Sequence, residues 1–438
     1  MTTKGAGRDI RHLSKRFAQG FSSGPCGVRK VGREAEYPVV GPDGHAFDIS
    51  LLWADLERGG ARAAPLEMVR APDGMITSLK GSRYTFASEV GLGTIEVITG
   101  PRHDLMQLKE DHEAAVERLL RACEAHGAVV LGLGTQPLTS PSAALMTPKP
   151  RYQMLLDRIG PDWLSFCVTA SDQVHVDVAE PEVVAMTNLG NILAPVFIAL
   201  CGNSPIVAGE DTGVCSWREA AMGAIEAAGG RHGMPHAPIA SIHEHVERIV
   251  ALEHLLHKEG DVPHPVSGRF SDFLQGIDCQ SDAAFAAFLV QDHYVWHSAR
   301  PRYRQGTVEL RAPCQQPWAA HMSAAALGLG VIAGGAEIGR YIGDVLGNDA
   351  WQKMRAWHAE VIQHGLSAQP PVPGLVEGVL ERAQAALRGR GRREEMLLEP
   401  LFRVVATGQN PAQRARSAFA EGGMAGLIQY SRLPASLR

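Results

Sequence analysis

The sequence lacks the features that mark several large classes of protein. Among 438 residues, acidic and basic side chains nearly balance, at a net charge of −5 with neutral histidines. Such a chain has no basic excess to neutralise a nucleic-acid backbone, so we exclude nucleic acid as a partner. The N-terminal stretch, MTTKGAGRDIRHLSKRF, has no apolar core and does not resemble a secretory signal.

Cysteine is scarce, and the sequence shows no paired cysteine motif. The seven cysteines form no CxxC pair, and their number is odd. This pattern disfavours a zinc module or a disulfide framework and is typical of a reducing compartment. We therefore expect a cytoplasmic protein.

Complete nucleotide-binding and membrane signatures are absent as well. No P-loop occurs, and the Gly-x-Gly steps at 91–93, 132–134 and 328–330 are not full dinucleotide fingerprints. The most apolar stretch, 318–340, is interrupted by His321 and Glu337. We expect this stretch to form a buried helix rich in alanine and glycine, with no membrane as a partner.

The residues that are present have an ordinary globular balance, 45% hydrophobic and 20% charged. Periodicity predicts helices over 8–21, 104–126, 181–202, 238–258 and 280–292, and strands over 29–40, 127–133 and 305–312. From 316 onward the pattern is nearly all helical. Separated strands and runs of helix predict an α+β fold with an antiparallel sheet.

Four predicted strands carry polar side chains at alternate positions, which places those side chains on one face of a sheet. The strands lie in GREAEYP, TIEVI, DQVHVD and TVELR. The polar residues of this set, with one that precedes the second strand, are Glu34, Glu36, Glu89, Glu96, Gln173, His175, Asp177, Glu309 and Arg311. An exposed sheet face is also polar, and one such strand alone would favour that interpretation.

Four strands of this kind together indicate a cation. Carboxylates gathered on one face repel each other and raise each other's pKa unless a cation lies between them. Hard oxygen ligands with one histidine and one glutamine suit magnesium, with manganese as the alternative ion. Two or more such ions would suit the phosphates of ATP.

The order and spacing of several motifs give the sequence a family likeness. The motifs GREAEYP, SEVGLGTIEVITGP, PKPRYQML, DQVHVDV, CGNSP, SWREA and VELRAP occur in this order, and the likeness extends from about residue 10 to about residue 432. Together they resemble the glutamate–cysteine ligases, carboxylate–amine ligases of the plant and bacterial type. The resemblance implies one catalytic domain over 1–438, with a helical C-terminal region from about 316 to 438. Its fold would be a bent antiparallel sheet, a half-barrel funnel with helices packed outside, like the catalytic domain of glutamine synthetase.

The resemblance also implies an ATP-dependent reaction in two steps. The γ-carboxylate of glutamate attacks the γ-phosphate of ATP, and the amine of cysteine then displaces phosphate from the acyl phosphate to form γ-glutamylcysteine. Metal ions that bridge the phosphates remove the repulsion between the reactants. The partners are then small molecules (glutamate, cysteine or another amine, and ATP), and the protein is expected to be a monomer or a homodimer.

By the same resemblance, each candidate residue takes a role. The metal ligands are Glu34, Glu36, Glu89, Glu96, Gln173, His175 and Glu309. Arg151 and Arg218 would hold glutamate, because a guanidinium pairs bidentately with a carboxylate. Tyr152 and Trp217 would wall the same pocket. The residues expected to bind the phosphates of ATP are Arg302, Arg311 and Lys149.

The expected catalytic set is Glu36, Glu309 and Arg311. We expect Glu36→Gln and Glu309→Gln each to remove most activity, because charge compensation by the metal is lost. We expect both variants to fold largely as the parent does.

Three alternatives remain open at this level. The loop after Glu89 reads VGLGT, and DQVHVDV holds His175 where plant members have asparagine, so the ligase can couple glutamate or another acid to an amine other than cysteine. A phosphotransferase related to the guanidino kinases would release a phosphorylated product and no amide. A non-catalytic binding module would turn over no ATP, although the complete set of glutamates argues against it.

Overall fold

A computed structural model describes residues 6–24, 26–59, 64–225, 229–260 and 262–435 of the chain. The strands in chain order are β1 (Val31–Val40), β2 (Glu67–Arg70), β3 (Ile76–Lys80), β4 (Tyr84–Ser88), β5 (Thr94–Arg102), β6 (Val129–Val130), β7 (Asp172–Asp177), β8 (Ile206–Val207), β9 (Glu210–Asp211), β10 (His232–Gly233), β11 (His257–Glu259), β12 (Val262–His264), β13 (Trp296–His297), β14 (Ala299–Arg302) and β15 (Thr307–Leu310).

Nine of these strands form the central sheet, in the order β14-β15-β7-β1-β5-β4-β3-β2, with β6 also paired to β1. Every pairing in this sheet is antiparallel. The two outer strands of this order, β14 and β2, are not paired with each other in the described residues, so the sheet is open. The predicted α+β fold with an antiparallel sheet is confirmed, whereas the half-barrel shape and the likeness to glutamine synthetase stay predictions.

The α-helices, again in chain order, occupy most of the remaining chain. They are α1 (Ala6–Ala18), α2 (Trp53–Arg58), α3 (Leu105–Glu124), α4 (Pro150–Ile159), α5 (Val183–Ile192), α6 (Ala194–Cys201), α7 (Trp217–Gly223), α8 (Ile242–Val250), α9 (Phe270–Gln275), α10 (Asp282–His293), α11 (Ser323–Ala333), α12 (Gly335–Leu346), α13 (Ala350–His364), α14 (Leu375–Gly389), α15 (Glu399–Thr407) and α16 (Pro411–Ser431). Short 3-10 helices lie at Ile49–Leu52, Ala143–Leu145, Pro161–Val168, Glu180–Glu182, Trp318–Ala320, Gly347–Asp349, Gly365–Ser367 and Glu394–Leu398.

The best predicted helix shows why local sequence can be sufficient. Its apolar residues recur at helical spacing, and α3 buries Ala115, Val116 and Leu119 against the sheet. Asp104 begins the helix by accepting a hydrogen bond from the backbone N–H of Gln107 at 2.8 Å. Such a cap satisfies one of the donors that the first turn leaves unpaired. The predicted limits, 104–126, therefore agree closely with the structure.

The two faces of the sheet have opposite character because side chains alternate along each strand. Val174 and Val176 of β7 point into a core shared with α5, α6, α11 and α14. Ala35 and Tyr37 of β1 point into a second core, which α3 covers. The polar residues between them in sequence, such as Glu36, must then lie on the opposite face.

Three local predictions need correction. The stretch 181–202 is two helices, α5 and α6, because Pro195 cannot donate the backbone hydrogen bond that a continuous helix requires. The stretch 238–258 holds only α8, and the chain from His257 onward forms the hairpin of β11 and β12. The strand predicted over 127–133 is limited to β6, which pairs with the end of β1.

The apolar stretch 318–340 is a buried core element, as expected. Residues Ser323 to Ile332 of α11 are buried against β7 and α14, and the helix ends before Gly334. No single helix in the described part of the chain is both long and apolar enough to cross a membrane. Two helix pairs reach that length and composition only together, and they bend by 45° and 83° at their breaks.

Candidate functional site

The polar face of the sheet forms the floor of a cavity of about 820 Å³. In the sheet register Glu34 lies opposite Gln173, Glu36 opposite Glu96, and His175 opposite Glu309. Directly opposed residues share a face, so the four predicted strands bring their polar side chains together. The cavity lining includes Glu34, Glu36, Glu89, Glu96, Gln173, Lys149, Arg151, Tyr152, Arg218, Arg302 and Arg311.

One group of three carboxylates, the three-glutamate cluster, consists of Glu36, Glu89 and Glu96. One oxygen from each lies within 4.8 Å of the other two. Glu36 is held in place by the backbone N–H of Ser171 at 2.6 Å and by the side-chain amide of Gln173 at 2.9 Å. Glu36 and Glu96 are buried and Glu89 is half-buried. The geometry suits a single divalent cation bound by carboxylate oxygens.

The charge state of this cluster supports the same conclusion. Burial and the neighbouring charge of Glu36 raise the pKa of Glu89 to about 7. Burial, followed by the charges of Glu89, Glu34 and Glu36, raises the pKa of Glu96 well above its ordinary value. The carboxylates thus repel each other without full compensation from the protein, which is the condition that a bound cation relieves.

A second group, the histidine cluster, consists of Glu34, His175 and Glu309, whose ligand atoms also lie within 4.8 Å of one another. Nε2 of His175 is 3.2 Å from Oε1 of Glu34, and Nδ1 is 3.2 Å from the hydroxyl of Thr307. Nε2 is buried and makes no hydrogen bond to any described residue. If Thr307 accepts from Nδ1–H, the lone pair of Nε2 is free for a metal ion. The donor set therefore fits a divalent cation.

The histidine cluster differs because arginines already compensate it. Glu309 contacts Arg300 at 2.8 Å, Arg302 at 3.2 Å and also Arg311. Burial acts to raise the pKa of Glu309, but these three guanidinium groups outweigh it and hold the pKa well below its ordinary value. In the same way, His175 outweighs burial and lowers the pKa of Glu34.

Gln173 connects the two clusters. Its side-chain N–H donates to Glu36, and its carbonyl oxygen accepts a hydrogen bond from Arg311, which also contacts Glu309. As a predicted metal ligand, Gln173 has its amide group already engaged with protein partners. The structure favours a role in fixing the positions of Glu36 and Arg311.

The predicted substrate and phosphate residues, with one exception, line the cavity. Arg151 stacks over the ring of Tyr152, and its guanidinium donates to the tyrosine hydroxyl at 3.1 Å. Nζ of Lys149 donates to the carbonyl of Ser88 at 2.7 Å, and burial, with the nearby charge of Arg151, lowers its pKa to about 8. These cations stand beside the three-glutamate cluster.

Trp217 is the exception. It begins α7 and is half-buried, and it is not among the cavity-lining residues, whereas Arg218 is. Arg218 and Glu219 of α7 line the cavity, so the side of this helix that faces the cavity does not include Trp217. The aromatic wall comes instead from Trp163, Phe166 and Trp296.

Sequence patterns missed several cavity residues. Arg300, Glu219, His232 and Ser298 all line the cavity. Arg300 lies opposite Glu309 in the register of β14 and β15, so the alternation that identified Glu309 could have identified it too. Glu219 follows Arg218 in SWREA, but its sequence gives no sign of burial. No local signal marks His232 or Ser298.

Comparisons with known proteins identify the family. The sequence profile of glutamate–cysteine ligase family 2 matches residues 56–430. The chain therefore belongs to this family, as the motifs predicted.

Individual relatives are more distant. A Thermobifida fusca protein, provisionally named glutamate–cysteine ligase 2, is 29% identical over 210 residues, which cover 46% of this chain and 52% of the relative. A similarly named protein of Rubrobacter xylanophilus is 29% identical over 237 residues, which cover 53% of this chain and 54% of the relative. The chain spans about half the length of these curated relatives.

Two solved structures share the fold. A bifunctional glutathione synthetase from Pasteurella multocida has a TM-score of 0.52 and 13% identity, over 96% of this chain and 53% of that chain. The glutamate–cysteine ligase of Francisella tularensis, solved in complex with AMP, has a TM-score of 0.50 and 10% identity, over 94% of this chain and 88% of that chain. At these identities the likeness concerns the fold alone.

Proposed function

We propose that this protein is an ATP- and magnesium-dependent ligase that joins the γ-carboxylate of glutamate to an amine through an acyl phosphate. The observation that carries the proposal is the pairing of two acidic clusters with a set of arginines at one cavity, whose lining includes the whole three-glutamate cluster and Glu34 of the histidine cluster, with His175 and Glu309 behind it. Carboxylates alone would suit many metal sites, and arginines alone would suit many anion sites. Together they suit a metal–triphosphate beside a carboxylate substrate.

The two clusters would hold the divalent ions. When bound, magnesium would neutralise the phosphates and so permit a carboxylate to approach them. Glu36, Glu89 and Glu96 form the better cation site, because the protein leaves their charges largely uncompensated. Glu34 and His175 would complete a second site with Glu309.

The arginines divide between the two anionic reactants. Glu309 is surrounded by Arg300, Arg302 and Arg311. We infer that these arginines donate some of their hydrogen bonds to the phosphates of ATP. Arg151 and Arg218 remain for the α-carboxylate of glutamate, which a guanidinium binds bidentately. Lys149 would lie near the transferred phosphoryl group.

The reaction then needs two bond exchanges. A carboxylate oxygen attacks the γ-phosphorus of ATP, and the bond to the ADP oxygen breaks. The amine attacks the resulting acyl carbon, and the C–O bond to phosphate breaks. We take cysteine as the default acceptor and the cytoplasm, where ATP is supplied, as the site of action.

The test is product analysis of purified protein supplied with ATP, Mg²⁺, glutamate and a panel of amines that includes cysteine. We expect ADP and γ-glutamyl amide to form in equal amounts, and only when glutamate and an amine are both present. Mass spectrometry identifies the amide, and a coupled assay measures ADP.

Other outcomes would each remove part of the proposal. A better acceptor than cysteine would leave the ligase class intact and replace the acceptor. A stable phosphorylated product without amide would indicate a phosphotransferase. Folded protein that turns over no ATP with any amine would indicate a binding module.

Glu399→Gln, which changes an exposed glutamate paired with Arg403 on α15, is the matched control variant.

A further inference from the structure

One corner of the cavity holds polar groups that the roles above do not use. Glu219 of α7 and His232 of β10 both line the cavity, with Oε2 of Glu219 3.7 Å from Nε2 of His232. Ser298 lines it too, and its backbone N–H donates to the carbonyl of Gly233 at 3.0 Å. We call Glu219, His232 and Ser298 the acceptor corner.

Two atoms of the acceptor corner are buried without a partner. Oε2 of Glu219 and the hydroxyl of Ser298 make no hydrogen bond to any described residue. The other oxygen of Glu219 accepts from Arg218 at 2.5 Å, so the carboxylate is fixed in place. Burying a polar atom without a partner is unfavourable, and a ligand that supplies the missing hydrogen bond removes this cost.

We propose that the acceptor corner binds the ammonium group of the acceptor amine and that His232 takes its proton before attack. An ammonium has three N–H donors, and the corner offers a carboxylate oxygen, an imidazole and a hydroxyl as acceptors. This inference rests on the proposed ligase function, which it extends to the second half of the reaction.

The chemistry requires such a base. A protonated amine has no lone pair, so one proton must leave before its nitrogen attacks the acyl carbon. That proton goes to His232, and Glu219 stabilises the imidazolium. When the C–N bond forms and the C–O bond breaks, the nitrogen loses a second proton, which the departing phosphate takes up. The products are then the amide, hydrogen phosphate and one proton, which His232 returns to solvent.

The surroundings keep His232 neutral, so its imidazole has a lone pair that can accept a proton. Burial lowers the pKa of His232 well below its ordinary value, and the charges of Arg218, His358, Arg311 and His297 act in the same direction. The α-ammonium group of the donor glutamate needs no deprotonation, so a site of this kind fits the acceptor better.

Hydroxylamine separates the two half-reactions. It traps an acyl phosphate as the hydroxamate, and it is mostly unprotonated near neutral pH, so it needs no ammonium receptor. We would measure hydroxamate formation and amide formation with cysteine, or with the best acceptor of the panel, for the parent protein, Glu219→Gln and His232→Gln. We expect the ratio of amide to hydroxamate to fall by about 10²-fold or more in both variants.

His364→Gln is the matched control. His364 is the last residue of α13, is exposed, and is not a cavity-lining residue. We expect this variant to keep the parental ratio. Since Glu219→Gln leaves Arg218 without its partner, His232→Gln carries the test if the first variant does not fold.

Chemical rescue adds a measurement that would not change if His232 had a purely structural role. Added imidazole should restore part of the amide formation of His232→Ala, because free imidazole can take the proton in the vacated space. If amide and hydroxamate fall in parallel, or neither falls, or imidazole has no effect, the inference is overturned. If the parent protein yields neither product, the proposed ligase function fails, and this inference fails with it.

Discussion

The two acidic clusters meet at β1, which carries both Glu34 and Glu36, and yet they are in opposite electrostatic states. In the three-glutamate cluster, mutual repulsion and burial raise the pKa of Glu89 and of Glu96. In the histidine cluster, arginines and an imidazole lower the pKa of Glu309 and of Glu34. The three-glutamate cluster therefore needs a bound cation to neutralise it, whereas the histidine cluster is already neutralised by neighbouring side chains of the protein.

This difference in charge compensation indicates that the glutamates of the two clusters have different roles. A cluster whose negative charges are not compensated by neighbouring cations can bind a metal ion with little rearrangement of the protein. A cluster that is already neutralised must release arginines before it binds one, and the phosphates of ATP are suitable new partners for those arginines. We therefore expect metal to enter the three-glutamate cluster first and the histidine cluster only together with nucleotide.

Replacement of Glu309 should give the largest effect. Glu309→Gln leaves the guanidinium groups of Arg300, Arg302 and Arg311 crowded in a buried site, and we expect the free energy of unfolding to fall by about 3–5 kcal/mol. This revises the expectation from sequence that the variant folds like the parent. Urea denaturation of the metal-free protein measures it, with Glu399→Gln, whose exposed pair contributes about 0–1 kcal/mol, as control. A loss equal to that of the control would contradict the structural role.

Replacement of Glu36 should affect activity more than stability. Glu36→Gln removes one metal ligand from a cluster that has excess negative charge, so we expect kcat/KM to fall by about 10²-fold while the protein stays folded. Steady-state ligase assays at saturating Mg²⁺, with circular dichroism to monitor folding, test this. Near-normal turnover would remove Glu36 from the metal site.

Magnesium affinity should depend on pH with a defined sign. A group with a pKa of about 7, as for Glu89, must lose its proton before the cation binds. We expect the apparent Kd for Mg²⁺ to tighten by about tenfold between about pH 6 and about pH 8. Isothermal titration calorimetry of the nucleotide-free protein measures this. A Kd that is independent of pH would place the first ion outside the three-glutamate cluster.

The smallest effect should be a gain in stability. A carboxyl whose pKa is raised in the folded state contributes stability below its unfolded pKa and loses that contribution as the pH rises through the folded pKa. Since Glu96 is such a group, Glu96→Gln should stabilise the metal-free protein at about pH 8 by about 1 kcal/mol. Parallel thermal denaturation of parent and variant tests the sign, and a loss of stability would mean that the cluster is compensated after all.

Much of the fold was predictable where a single local sequence pattern decides the secondary structure. Alternation of polar and apolar residues predicted β1 and β15, and the Asp104 cap with helical periodicity predicted α3. The errors in the predicted secondary structure lie where a second structural constraint overrides the local pattern. Pro195 divided one predicted helix into two, and the chain around His257 forms a hairpin that lines the cavity where a helix was predicted.

The candidate site was predictable only in part. Glutamates at alternate strand positions share a face whatever the register, so Glu34 and Glu36 could be grouped from sequence. Residues such as Glu219 and His232 lie on a short helix and a two-residue strand, where no periodicity exists to show which way a side chain points. Their place in the cavity depends on packing between segments far apart in the chain.

By itself, the sequence determined the chemical type of each side chain on the polar sheet face and the order of motifs that defines the family. These follow from the two-residue period of a strand and from the linear spacing of residues. Only the tertiary structure decided that Glu309 faces three arginines while Glu96 faces other glutamates. The charge state of a buried carboxylate depends on neighbours that folding brings within a few ångströms, and linear order does not specify those neighbours.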